Sequence, residues 1–260
     1  MLLAIDVGNS NIAFGIYKNK WLQHWRLNTV PNKTSDEYEV LFRSLLANSY
    51  DALDEVDCVM ISCVVPSLKS IFHKMIQRMF RKQPVFVSTR LEIGIKVTID
   101  NPSEIGSDLL ANAIAGYHIF KSGCVVVDFG TALSITIVGS DGSLVGASIA
   151  PGLETAMKAL SSNTSQLPFV ELTAPTSAIG KNTTHAIQSG VMFGYVGLVE
   201  YLVERIKQEL GSDAKVIATG GLSEAIAPLT DHFDTLEPWL TLDGLRIIAE
   251  RMTVASKGGK

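Results

Sequence analysis

Apolar and polar positions along this chain follow two periods in turn, and the switches between them mark the elements. Leu2–Asp6 is an apolar run that ends on a carboxylate, and Asn11–Tyr17 is a second strand beyond a polar turn. Lys18-Asn19-Lys20 turns the chain into a third strand, Trp21–Leu27. Thr34 and Glu37 have capping-box spacing ahead of a helix with Tyr38, Leu41, Phe42, Leu45 and Leu46 on one face. Val56–Val65 is a near-continuous apolar run, as in a strand buried on both faces, and Pro66 ends it. A helix over Ser67–Phe80 and a short strand at Val85–Ser88 complete a βββαβαβ unit. The polar stretch Asn101–Asp108 then leads into Leu109–Phe120, apolar nearly all round, which predicts a helix buried on most sides where two domains meet.

The same pattern begins again at Gly123–Asp128. Leu133–Val138 comes next, then the turn Gly139–Gly142 and a third strand over Ser143–Ile149. A short helix is expected near Leu153–Leu160, with a polar loop over Ser161–Ser165. A long helix is expected over Thr184–Leu210. Gly190, Gly194 and Gly197 weaken that helix, so they predict close backbone approach of another element, such as a partner chain. Lys215–Thr219 reads as a strand, followed by Gly220-Gly221, a helix through Ala227 and a last amphipathic helix over Thr241–Met252. The expected domains are residues 1–120 and 121–252, with a frayed tail over 253–260.

Composition narrows the function classes. Of 260 residues, 47% are apolar, which predicts a packed globule. A net charge of −4 leaves no basic surplus for a phosphate backbone, so no nucleic acid partner is expected. Cys58, Cys63 and Cys124 lie in apolar runs without metal spacing, and the five histidines are scattered. No leader segment is expected, because Met1 leads straight into a strand and Asp6 interrupts the apolar run early. The apolar stretch after His185 is broken by Glu200, Glu204 and Arg205, so no membrane span is expected. A cytoplasmic protein is the expectation.

The candidate chemistry sits in the turns. An Asp at the end of a buried strand contributes nothing to apolar packing. Gly8 lets a ligand approach the backbone, and Asn9, Ser10 and Asn11 add donors. Main-chain N–H groups in such a turn form an anion-sized concavity, and Asp6 can hold Mg²⁺ directly or through water against the same phosphates. Asp128-Phe129-Gly130-Thr131 repeats the frame. Either turn alone is also compatible with a hairpin of Asx-turn chemistry and no ligand. Thr219-Gly220-Gly221 is the third element, where bare backbone can lie against a base or ribose.

In this order the motifs resemble the actin-like ATPase superfamily of sugar kinases and Hsp70 chaperones, and within it the type III pantothenate kinases. The likeness is carried by Asp6-Val7-Gly8-Asn9, Asn101 to Asp108, Asp128 to Ala132, Pro151-Gly152-Leu153, Gly180-Lys181-Asn182-Thr183, Ala186 to Gly190 and Thr219-Gly220-Gly221. It implies an α/β fold of two duplicated ribonuclease-H-like domains. Each would be a mixed five-stranded sheet flanked by helices, with ATP in an interdomain cleft. It implies ATP-dependent phosphorylation of pantothenate to 4′-phosphopantothenate, the first step of coenzyme A biosynthesis. It further implies Mg²⁺, a monovalent cation (potassium or ammonium) and a homodimer. The nucleotide loop would be Asp6, Val7, Gly8, Asn9, Ser10, Asn11, Ile12 and Ala13, with Thr131 on the phosphates and Asp128 on the monovalent cation. Asp108 would be the catalytic base, Gly106, Ser107, Asp108 and Leu109 the substrate segment, and Thr183 a pantothenate contact across the dimer interface. Leu109 stands where the family has Arg, and Ile99 where it usually has Tyr. The alternative is a nucleotide-binding accessory or regulatory member with little kinase activity.

Overall fold

The computed structural model describes residues 1–47, 55–91 and 93–258. The first sheet runs β3-β2-β1-β4-β5 and the second β10-β9-β6-β7-β8, so both five-stranded sheets have the same order. In the first, β1 is Leu2–Val7, β2 Asn11–Tyr17, β3 Trp21–Asn28, β4 Cys58–Cys63 and β5 Val85–Phe86. In the second, β6 is Cys124–Phe129, β7 Ala132–Val138, β8 Leu144–Pro151, β9 Lys215–Thr219 and β10 Thr235–Leu236. The helices are α1 (Ser35–Ala47), α2 (Pro66–Phe80), α3 (Ser107–Phe120), α4 (Leu153–Asn163), α5 (Thr183–Leu210), α6 (Ser223–Ile226) and α7 (Leu240–Gly258).

The chain forms two compact units: residues 1–95, 100–115 and 241–260, and residues 96–99 and 116–240. These boundaries differ from the contiguous division expected. The last helix folds with the first unit, because an amphipathic pattern specifies a buried face and not its partner. The expected frayed tail is helical through Gly258, and residues 259–260 lie outside the described residues. Helix α3 divides at Ala115/Gly116 between the two units.

In the first unit, β1 pairs antiparallel with β2 and parallel with β4, which puts Asp6 level with Ala13 on one side and Ser62 on the other. One face of this sheet carries Leu3, Ile5, Val7, Phe14 and Ile61 into a core with α1 and α2. Phe14 stacks on Phe42 at 4.2 Å, and Phe42 meets Phe72 edge-on at 5.9 Å. The capping box forms as predicted. Thr34 N–H donates to Glu37 Oε2 at 2.8 Å, and Glu37 N–H donates to Thr34 Oγ1 at 3.3 Å. Pro66 opens α2 instead of merely ending the strand, since the first helical position needs no N–H.

Helices α3 and α7 meet strand residues on the other face. Trp21 Nε1–H donates to Asp243 Oδ1 at 3.0 Å, and Arg246 lies over the Tyr17 ring at 5.2 Å. Gly244 leaves room for the Ala111 carbonyl of α3, and Thr241 donates to Asn112 Oδ1 at 2.8 Å. The N-terminal half of α3 is thereby fixed by its neighbours within this unit.

In the second unit, β6 pairs with β7 and β9, so Asp128 lies level with Ser134 and Thr219. Val125, Val127, Phe129 and Ile135 pack against Met157 of α4 and Met192, Val199 and Val203 of α5. On the opposite face, Gly116 of α3 lies against Cys124 and Val126. Lys96 and Thr98 exchange backbone bonds with Leu144 at 2.8 and 2.9 Å, covering the start of the edge strand β8. Helix α4 runs into the expected polar loop as far as Asn163. Gly211 in the left-handed conformation ends α5.

Against expectation, α5 is long and apolar enough by length and composition to cross a membrane. The charges that break its pattern stand late in its 28 residues, and its buried side belongs to this unit's core, as in a core helix. Gly190, Gly194 and Gly197 have nothing within 4 Å of a Cβ position, so among the described residues no element makes the close approach expected there. The short β10 and the 3₁₀ turns at Pro102–Glu104 and Ala227–Leu229 have no apolar period to announce them.

Candidate active site

The end of β1 and the start of β2 form a tight turn. Gly8 N–H donates to Asn11 O at 3.0 Å, and a Cβ on Gly8 would press on that same carbonyl. Thr29, just past β3, braces the turn: its N–H donates to Ser10 O at 2.9 Å and its Oγ1 to Gly8 O at 2.7 Å. Asp6 is half-buried beside it, while Asn9 and Asn11 are exposed. Thr29 was not among the expected site residues, because a Thr beyond a strand carries no local signal.

Beside Asp6 in parallel register, Ser62 is fully buried and shares a hydrogen bond of 3.0 Å with Ser107 Oγ at the head of α3. Cys63 N–H donates to the same Ser107 oxygen at 3.0 Å. Register partners present their side chains on one face, so Asp6, Ser62 and the head of α3 share a corner at the C-terminal ends of β1 and β4. Ser62 was also not anticipated, although one signal was available: it is the lone hydroxyl in the apolar strand Cys58–Cys63.

Asp108 is the next residue of α3. Leu109 N–H donates to its Oδ1 at 2.9 Å, and a Cβ on Gly106 would collide with that oxygen. Burial pushes the Asp108 carboxyl above the usual carboxylate range, against the pull of the Leu109 and Asp108 backbone bonds. Leu109 itself is 7% exposed, its side chain part of the buried set. The first unit thus brings together Asp6, the turn from Val7 to Ala13, and Gly106, Ser107, Asp108 and Leu109.

The second unit builds its own acidic corner. Asp128, the last residue but one of β6, stands over Gly220, whose φ of +92° and contact with the Asp128 carboxylate and Phe129 backbone leave no room for a side chain. Gly152 packs on the carbonyls of Gly130 and Thr131, and Thr155 Oγ1 donates to Thr131 O at 2.7 Å. Asp128, Gly130, Thr131, Gly220 and Gly221 therefore cluster. Thr183 stands at the exposed head of α5, behind the cap Asn182, whose Oδ1 accepts from His185 N–H at 2.9 Å. It borders an apolar groove of about 530 Å³ with Leu160, Leu167, Ala186, Gly190 and Gly194.

Among the described residues, no group of three or more His, Cys, Asp or Glu could enclose a metal ion. One carboxylate is nevertheless a suitable protein donor for Mg²⁺, which keeps most of its waters and takes substrate phosphates as its other ligands. Asp6 fits that donor set.

A strand-hairpin-strand acid repeated on two sheets of identical order is now in view, with a third acid at a helix head. The family model for type III pantothenate kinase matches residues 2–205. A type III pantothenate kinase of Citrifermentans bemidjiense is 43% identical over 252 residues, covering 96% of this chain and 99% of that protein. The chain belongs to the type III pantothenate kinases. It phosphorylates pantothenate with ATP, in the biosynthesis of coenzyme A. Nothing favours the accessory alternative. Solved structures agree in fold. A Campylobacter jejuni protein assigned to the Baf family of transcriptional activators superposes with a TM-score of 0.60 at 22% identity, covering 97% of this chain and 99% of that one. A Sinorhizobium meliloti protein assigned as a 2-dehydro-3-deoxygalactonokinase gives 0.57 at 12% identity, covering 97% of each. These likenesses are of fold alone.

Proposed function

We propose that Asp108 is the general base of the pantothenate kinase reaction, and that each acidic turn contributes to nucleotide or cation binding. The carrying observation is the carboxylate of Asp108, half-buried over bare Gly106 at the head of α3, on the same corner as Asp6. Phosphoryl transfer depends chiefly on positioning and charge neutralisation, and a rigid helix head supplies the first. The primary alcohol of pantothenate attacks the γ-phosphorus of ATP. A new O–P bond forms, the bond from phosphorus to the bridging oxygen of ADP breaks, and Asp108 accepts the alcohol proton. A carboxylate lifted above its usual range by burial holds that proton better than an exposed one.

The turn over Asp6, Val7, Gly8, Asn9, Ser10, Asn11, Ile12 and Ala13 takes the phosphates. Its two carbonyls are engaged by Thr29, which favours an amide-side anion site. Asp6 holds Mg²⁺, which when bound neutralises charge on the phosphates. Thr131 adds a hydroxyl to the phosphates. Asp128 holds the monovalent cation, and Gly220 and Gly221 admit the base or ribose. Gly106, Ser107, Asp108 and Leu109 receive pantothenate, and Thr183 reaches it from a second copy of the chain. The bare backbone at Gly190, Gly194 and Gly197 beside the apolar groove supports a homodimer formed there. A cytoplasmic location fits a substrate and a nucleotide found together in metabolism.

The test is ADP release from the purified protein with ATP, Mg²⁺ and potassium, with and without pantothenate. Pantothenate-dependent release that Asp108→Asn abolishes is expected. Release unchanged in that variant would remove Asp108 from the role of base. Equal turnover in sodium and potassium would remove Asp128 from the cation.

A further inference from the structure

The first unit holds a buried pair of hydroxyls whose mutual hydrogen bond no step above uses. Ser62 on β4 is 0% exposed and Ser107 on α3 is 8% exposed. Their oxygens lie 3.0 Å apart, and Ser107 Oγ also accepts from Cys63 N–H at 3.0 Å. Burial of polar groups is tolerated only when they are satisfied, and these satisfy each other. The pair is a strap between a strand and a helix, and its two ends are informative. Ser62 is the register partner of Asp6. Ser107 precedes Asp108, whose Oδ1 is held by Leu109 N–H and rests over Gly106.

We propose that Ser62 and Ser107 are positioning residues, which lock the head of α3 to the strand beside Asp6 and so fix where the Asp108 carboxylate stands relative to the phosphate turn. This rests on the reading of Asp108 as base. Ser62 has no route to the substrate except through its neighbours, since its hydroxyl is fully buried. Sliding the head of α3 by the length of one hydrogen bond breaks two bonds in a place where water cannot replace them. A general base misplaced by about 1 Å loses on the order of a hundredfold in rate. The corresponding corner of the second unit is built differently. Thr219 is the register partner of Asp128 and leads directly into Gly220, so a threonine is compatible with a strand at this position.

The experiment measures kcat and KM for ATP in Ser62→Ala, Ser107→Ala, Ser62→Thr, Asp108→Asn and the double variant Ser62→Ala/Asp108→Asn, with thermal melting of each. The alanine variants should lose on the order of tenfold or more in kcat, with KM for ATP within about twofold of the parent. Ser62→Thr should keep most of the parent kcat. In the Asp108→Asn background, Ser62→Ala should change residual turnover no further, because its effect runs through the missing carboxylate. If Ser107→Ala does not fold, Ser62→Ala decides, since it leaves Cys63 N–H satisfied. Parent-like kcat in Ser62→Ala, beside an inactive Asp108→Asn, overturns the strap and spares the base. An additive loss in the double variant, or KM for ATP rising in step with the fall in kcat, also overturns it. An active Asp108→Asn sinks the base reading itself.

Discussion

Gly106→Ala isolates the placement of Asp108 from its chemistry, because every charged group is retained. The new Cβ would meet Asp108 Oδ1 first, then Asp108 Cγ at 3.4 Å and Val64 Cγ1 at 3.7 Å. The latter two are close to ordinary contacts, so the carboxylate oxygen alone must give way. Restoring a normal separation takes a movement on the order of 1 Å, enough to break the 2.9 Å bond from Leu109 N–H. Stability should change little. Reduced freedom of the unfolded chain contributes about 0.4–1 kcal/mol in favour. The lost bond to a half-buried carboxylate costs about 1–1.5 kcal/mol, so the net is about 1 kcal/mol or less. Catalysis should change greatly, because a displacement of that size costs roughly a hundredfold, equivalent to about 2.7 kcal/mol of activation free energy. The assay is pantothenate-dependent ADP release under saturating substrates, with a denaturant melt as control. A folded Gly106→Ala protein whose kcat stays within a few-fold of the parent would refute the reasoning, since the carboxylate would then have moved without consequence.

Four further outcomes are expected. Because burial raises the Asp108 pKa, the acid limb of kcat/KM should lie above the usual carboxylate range, and a limb inside that range would count against the assignment. By the same shift the folded state binds the proton more tightly than the unfolded chain, so this residue's contribution to stability falls as pH rises through its raised pKa. Asp108→Asn should therefore melt higher than the parent at neutral pH while losing turnover; a lower melting point would reverse the sign. Gly220→Ala should cost roughly 2–4 kcal/mol in denaturant unfolding, from a φ of +92° and contact with the backbone of Phe129. A loss below about 1 kcal/mol would mean the turn has slack. On the proposed homodimer, Gly194→Trp should shift sedimentation towards monomer and leave the melt cooperative, because no described residue lies near that Cβ; unchanged sedimentation would count against an interface there.

The apolar periods made the strands and most helices legible. Leu2–Val7 and Cys124–Phe129 are runs buried on both faces, and each is interrupted by a single acid that could be located at sight. The repeat of that interruption revealed the duplication. Partnerships distant in the chain were not legible. An amphipathic helix such as α7 advertises a stripe but not that Trp21 and Tyr17, more than 200 residues earlier, receive it. Glycines were legible as tight places but not as to what tightens them: Gly244 and Gly220 meet backbone, whereas Gly190 and Gly194 meet nothing among the described residues. At the site, the acids and the bare turns could be read from residue type. The braces Thr29, Ser62 and Thr155 could not, because a hydroxyl's partner depends on register and not on spacing.

The two units put one corner to two uses, and they differ in how the chain leaves the strand beside each acid. In the first, β4 runs on through Val64 and Val65 into α2, and the space beside Asp6 is closed by the head of α3, tied down through Ser107. In the second, β9 breaks at once into Gly220, whose missing side chain leaves only backbone against Asp128. A closed corner excludes water and raises a neighbouring carboxyl, which suits a group that must take a proton. A corner of bare backbone offers carbonyls and amides, which suits a cation and phosphates. The asymmetry is chemical and separable: replacing Gly220 should alter the dependence on potassium and ATP, and replacing Gly106 should alter kcat and the use of pantothenate. If both variants moved the same kinetic constant, the two corners would not have diverged in function.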